Sequence, residues 1–175
     1  MSPAQPGSLS AVLIDAFGRV QEQAHAAVAG LTEEQLAARL DADANSIAWL
    51  CWHLARVQDD HLAGAFGAAQ VWHEAQWATW ADRFGVSPDD VGYGQSSKQV
   101  AQVHAPAEML TGYLDAVHAQ TVRLLGGLTE EDLPRIVDER WDPPVTLSVR
   151  LVSVISDCLQ HVGQAGFIRG VLLRR

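Results

Sequence analysis

The sequence predicts an all-α protein: a four-helix bundle with an internal pseudo-twofold repeat and a long loop between its second and third helices. Three observations carry this. Four stretches repeat apolar residues at three- and four-residue steps, capping signals fall where those stretches begin and end, and the motif GLTEE occurs twice in corresponding places.

The first helix is predicted over Ser8 to Ala29, where Leu13, Ala16, Phe17, Val20, Ala24, Ala27, Val28 and Leu31 form one apolar face. Gly30 ends it, and Thr32 opens a short turn in LTEEQLAARL through a capping box with Gln35. After the polar DADANS, Asn45 is placed to cap a second long helix, NSIAWLCWHLARVQDDHLAGAF. The third, APAEMLTGYLDAVHAQTVRLL, starts near Pro106 and turns Leu110, Tyr113, Leu114, Val117 and Leu124 inward. Gly127 ends it, and GLTEEDLPRIV then repeats the GLTEEQLAARL of residues 30–40. A polar stretch with Pro143 and Pro144 precedes the fourth helix, about Thr146 to Leu173. Helix, GLTEE element, loop, helix thus occurs twice, the pattern of a pseudo-twofold bundle. The connection from about Gly67 to Ala105 carries Trp72, Trp77, Trp80 and Tyr93, with only short helical pieces such as SPDD. Its aromatics make it a cover packed over the bundle.

Composition narrows the function. A chain of 175 residues, 48% apolar and 19% charged, reads as a single domain over 1–175 with a sizeable core. A net charge of −9 and the lack of any Lys/Arg-rich run exclude nucleic acid as a partner. No apolar stretch is long enough to span a bilayer, and MSPAQPGSLS has no leader pattern, so the expected location is cytoplasmic. Cys51 and Cys158 form no CxxC pair and read as small buried hydrophobes. Lys98 is the only lysine, a bias that suggests a GC-rich genome.

The chemistry concentrates on two helices. On the fourth, Val154, Asp157, Cys158, His161, Ala165, Ile168 and Leu172 share one apolar face, so an acid and an imidazole one turn apart point toward the core. A carboxylate in such a place requires a partner. The pair either hydrogen-bond each other or bind one cation together, and for a cation the second helix offers His53, on the stripe of Leu50 and Val57. Three N/O ligands leave an open position, the pattern of a catalytic zinc. His61 is the fallback ligand. Glu22 with His25, and Asp115 with His118, mimic the Glu-x-x-His pairs of di-iron bundles, but Glu22, His25 and Asp115 lie on the order of 120° from their helices' apolar stripes, and the pairs read as solvated. Gln164, one turn past His161, is a candidate partner for a ligand or a water. Asp60 pairs with Arg56 or faces the cavity, with solvent-exposed pairing expected. Trp49 and Trp52 flank His53 and, with Tyr93, are candidates to wall a pocket.

The stretches NSIAWLCWHLARVQDDH and VTLSVRLVSVISDCLQHVGQAGFIRG, with the GYG turn of the long connection, resemble the DinB-like metalloprotein superfamily. The resemblance covers most of the chain and is nearest to the branch of thiol-dependent transferases and isomerases, including mycothiol-dependent enzymes of the maleylpyruvate isomerase type. It implies a four-helix bundle, often a homodimer, holding zinc or nickel through one histidine of the second helix and two residues of the fourth. Carried over, these are His53, Asp157 and His161, although many members have histidine or glutamate where this chain has Asp157. The implied function is a metal-dependent S-transferase in which the metal activates a low-molecular-weight thiol, mycothiol in a high-GC Gram-positive host, for attack on an electrophilic small molecule. The alternative is a non-catalytic, stress-related metal or small-molecule binding protein. An open cavity beside His161 would discriminate between them.

Overall fold

A computed structural model describes residues 7–174; most of MSPAQPGSLS lies outside them. Four long helices carry the architecture: α1 (Leu9–Val28), α3 (Ile47–Phe66), α6 (Ala107–Leu125) and α7 (Leu147–Leu172). Between them lie the short α2 (Glu33–Ala37), α4 (Ala75–Phe84) and α5 (Ser97–Val100), with a two-stranded antiparallel ribbon of β1 (Ile136–Asp138) and β2 (Val145–Thr146). No helix is long and apolar enough to cross a membrane among the described residues.

Both α1 and α3 pack against α6 and α7, while α1 and α3 meet far less, as expected of diagonal members of a bundle. Exchanging α1 with α6 and α3 with α7 leaves this contact pattern unchanged, which is the predicted pseudo-twofold relation. The tightest pairing is α3 with α7, the second helix of each half. Polar caps set the helix starts: Ser8, Ser46 and Thr146 each accept a hydrogen bond from the backbone N–H three residues on. The cap of α3 is therefore Ser46 rather than Asn45. Gly30, at φ +71°, turns the chain after α1, and Thr32 and Gln35 form the predicted capping box.

The two GLTEE copies diverge. The first makes α2, whereas the second makes only a 3-10 turn, Glu130–Asp132, because Pro134 cannot continue a helix. The residues after Pro134 instead form β1, a strand too short for its alternation to show in the sequence. SPDD is a turn, and the principal helix of the connection is α4, whose Trp77, Ala81 and Phe84 lie at i, i+4 and i+7.

α3 is buried on nearly every side, polar residues included. Its buried Arg56 and Asp59 approach to 3.6 Å, where Arg56 had been expected to meet Asp60. Asp59 is drawn inward because it alone reaches the backbone N–H groups of Val71 (2.9 Å) and Trp72 (2.8 Å), and the Tyr113 hydroxyl (2.9 Å). Arg56 also donates to Gln70 Oε1 and to the Asp90 carbonyl. This network straps the long connection to the bundle, and Trp72, fully buried, packs beside Trp52 and Tyr113. Both cysteines are buried, and burial pushes the Cys51 thiol up to about 12 and the Cys158 thiol higher still.

Candidate metal centre

α3 and α7 lie side by side, so a residue in the middle of one faces the middle of the other. His53, Asp157 and His161 meet there, with one possible ligand atom from each all within 4.8 Å of one another. His53 is buried, while Asp157 and His161 are each about three-quarters or more enclosed, at 25% and 19% side-chain exposure. The rings of His53 and His161 stand 4.7 Å apart, edge to face.

The imidazoles are held by their outward nitrogens. Nδ1 of His53 is hydrogen-bonded to the Val91 carbonyl, which accepts only from a protonated Nδ1 and so leaves the Nε2 lone pair free. Nδ1 of His161 lies 3.3 Å from Gln164 Oε1, the same relation on the other helix and the role foreseen for Gln164. Nε2 of His161 is 3.6 Å from Asp157 Oδ1, and Asp157 Oδ2 is buried without a hydrogen-bond partner.

Charge and burial compete across this cluster. Burial, aided by the nearby His161, lowers the His53 pKa and favours a neutral ring. Burial alone would raise the pKa of Asp157, but His161, His53 and His61 outweigh it and hold the carboxyl below its ordinary range. Asp157 in turn raises His161.

A backbone loop closes the site from above. Val91 brings its carbonyl to His53 because Gly92, at φ +97°, lets the chain turn against the ring: a Cβ there would sit 2.6 Å from His53 Nδ1 and 3.1 Å from Trp49. Asp90 fixes the turn by accepting from the Gly92 N–H (2.7 Å) and from Gln95 Nε2 (2.8 Å). Gln95 Oε1 accepts from the Trp49 indole at 2.7 Å, and Trp49 stacks on His53 with centroids 4.6 Å apart. Indole, amide, carboxylate and glycine thus form one closed chain around His53.

Of the remaining candidates, Tyr93 stands edge-on over His53 at 5.2 Å, with its outer side exposed. Trp52 does not join the wall; it points into the core against Trp72 and Phe84. Asp60 stays outside the cluster, accepts from Gln70 and lies 3.2 Å from His61. His61 is likewise excluded and stacks on Tyr93. Glu22 and His25 are exposed, with His25 paired to Asp115 across the surface at 2.7 Å, so no di-iron arrangement forms there. Sequence reasoning missed Asp90, Val91 and Gln95, and singled out Gly92 only as part of the GYG turn, since a carbonyl that selects a tautomer leaves no mark on residue type.

A helical bundle whose second and fourth long helices join two imidazoles and a carboxylate beneath a loop defines this protein as a member of the DinB-like class. Within that class the chain belongs to the mycothiol S-transferase family, whose model matches residues 12–173. The crystal structure of a conserved protein of locus from Enterococcus faecalis is similar throughout: 28% identical, over 96% of this chain and 99% of that one, with a TM-score of 0.84. No curated protein is significantly similar to the chain.

Proposed function

We propose that the protein is a metal-dependent thiol S-transferase, in which His53, Asp157 and His161 hold one divalent cation and a low-molecular-weight thiol attacks an electrophilic small molecule beside it. The observation that carries this is the convergence of two imidazoles and one carboxylate within 4.8 Å. The donor set fits a cation in three respects. Both Nδ1 atoms are engaged by oxygen acceptors, which leaves both Nε2 lone pairs available. The 3.6 Å between His161 Nε2 and Asp157 Oδ1 is longer than a hydrogen bond. It is close to the roughly 3.3 Å that separates two donors at about 2.0–2.1 Å from a tetrahedral ion. Finally, Asp157 Oδ2, buried and unpartnered, is an acceptor that a cation would satisfy.

Two nitrogens and one oxygen suit zinc, with nickel as the alternative. When bound, such an ion supplies Lewis acidity that brings a thiol's pKa toward neutrality. The chain's own residues do the rest. Trp49 shields one face of His53, and the Val91 carbonyl keeps that ring in a single tautomer. Tyr93, raised to about 12 by burial and by the neighbouring Asp157 charge, stays a phenol and can donate a hydrogen bond to the electrophile. A mainly apolar cleft of about 410 Å³ beside Gln164, walled by Leu40, Leu50, Phe167 and Ile168, gives the electrophile a place to sit. The family points to mycothiol as the thiol. The apolar cleft is lined by Gln164 and not by His53, Asp157 or His161, so the discrimination from a non-catalytic, stress-related metal or small-molecule binding protein rests on the activity test.

The test begins with metal analysis of untagged protein, where about one ion per chain is expected. His161→Ala should lose both the ion and thiol conjugation while its helical circular dichroism persists. A metal-replete wild type inert toward a panel of thiols and electrophiles would refute catalysis.

A further inference from the structure

A second cleft, of about 520 Å³, lies between the C-terminal half of α3, the strand β1 and the first turn of α7. Its wall is built from charged groups that hold one another. Asp138 accepts from the Arg140 backbone N–H (3.0 Å), Nε (2.9 Å) and Nη2 (2.9 Å), and from Arg150 Nη2 (2.8 Å). Arg150 is only 14% exposed, and its Nη1 lies 3.2 Å from His61 Nδ1, which is also 3.2 Å from Asp60 Oδ2. No step of the proposed reaction uses these residues.

Three carboxylates, Asp60, Asp138 and Glu139, and two guanidiniums, Arg140 and Arg150, line the cleft. The near-balance of charge disfavours a strongly anionic or cationic ligand, since each would meet like charges at close range. What the wall offers is a dense alternation of donors and acceptors. Arg150 has five N–H donors, of which two are engaged by Asp138 and His61, and a carboxylate such as Asp60 has about four acceptor positions. That is a surface for hydroxyl groups, each of which donates and accepts.

The cleft also adjoins the metal cluster. His61, on its rim, stacks on Tyr93 at 6.2 Å, and Tyr93 covers His53. Arg150 precedes Asp157 by seven residues on α7, about 10.5 Å along one helix face. A ligand with its sulfur at the cluster and its tail running toward the N-terminus of α7 would enter the cleft.

We infer that this cleft receives the neutral, polyhydroxylated portion of the thiol cosubstrate, with Asp60 and Arg150 as its hydrogen-bonding wall and Asp138, its own acceptor positions taken, holding Arg150 in place. The inference rests on the S-transferase reading and assigns the sugar end of a mycothiol-like thiol to this cleft, leaving the apolar cleft beside Gln164 for the electrophile.

The experiment separates the two ends of that ligand. The probe is N-acetylglucosaminyl-inositol, which has the polyol but no thiol, titrated onto the metal-replete full chain and followed by amide chemical shifts. It should bind wild type and shift the amides of Gly64 and Arg150. Gly64 lines the cleft and has nothing within 4 Å of where a Cβ would stand, so Gly64→Trp fills the space without replacing any residue of the charge network. That variant should bind the probe at least tenfold more weakly with unchanged metal content. Arg150→Lys, which keeps the charge but loses the fork, should also weaken it, whereas His161→Ala should bind it as wild type does. If intact mycothiol binds but the probe does not, or if Gly64→Trp binds the probe normally, the cleft assignment is overturned and the S-transferase reading stands. If neither probe nor mycothiol binds, both fall. Tighter binding of inorganic phosphate than of the probe would overturn the neutral-ligand class.

Discussion

Replacing Gly92 by alanine should damage the metal centre from outside its donor set. Two costs can be assigned from the geometry. A φ of +97° is poorly accessible to an L side chain, which costs about 1–3 kcal/mol. The new Cβ would also stand 2.6 Å from His53 Nδ1, so the loop or the ring must move, and the Val91–His53 hydrogen bond weakens for about 1 kcal/mol more. We expect Gly92→Ala to lose about 2–4 kcal/mol of stability in urea unfolding of the metal-free protein. Zinc affinity should fall roughly 10–100-fold, because His53 would no longer be held in one tautomer and orientation. Gly94→Ala is the control: its φ of +70° carries a backbone penalty of about 1–2 kcal/mol, but nothing lies within 4 Å of its Cβ. A competitive titration with a chromophoric chelator reads the affinity. If the two variants prove equal in both stability and zinc affinity, the loop does not position His53 and the argument is wrong.

Two other substitutions probe the network on either side. Asp157→Asn keeps shape but removes the anion, and zinc affinity should drop at least tenfold, about 1.4 kcal/mol; an unchanged dissociation constant would remove the carboxylate from the donor set. Asp59→Ala leaves the fully buried Arg56 uncompensated and strips two backbone N–H groups of their acceptor, so stability should fall by about 3–5 kcal/mol. A loss under about 1 kcal/mol in urea unfolding would show that the Arg56–Asp59 pair is not what straps the connection.

The four long helices were legible because each carries its own period and its own caps: Phe17, Val20 and Ala24 announce α1 without reference to the rest of the chain. His53, Asp157 and His161 were legible for a related reason, as polar groups on stripes that packing must bury. What stayed hidden depends on pairs distant in sequence. Arg56 has two acidic neighbours on the same helix, and the choice of Asp59 over Asp60 was made by the amides of Val71 and Trp72. The ribbon of β1 and β2 is too short to show alternation, and the Arg150–Asp138 contact exists only once that ribbon is folded. α4 was obscured by its aromatics, which read equally as a helix face and as the underside of a cover.

The burial of Cys51 and Cys158 has a consequence for the proposed reaction. An electrophile admitted to the site meets no thiol of the protein's own: Cys51 and Cys158 are sealed in the core and held protonated, Cys158 immediately beside Asp157 in sequence. On the S-transferase reading, the protein is thereby spared alkylation by its own electrophilic substrate. A thiol reagent added to the folded protein therefore reports only the sulfur supplied from solution, so turnover can be followed directly as its disappearance.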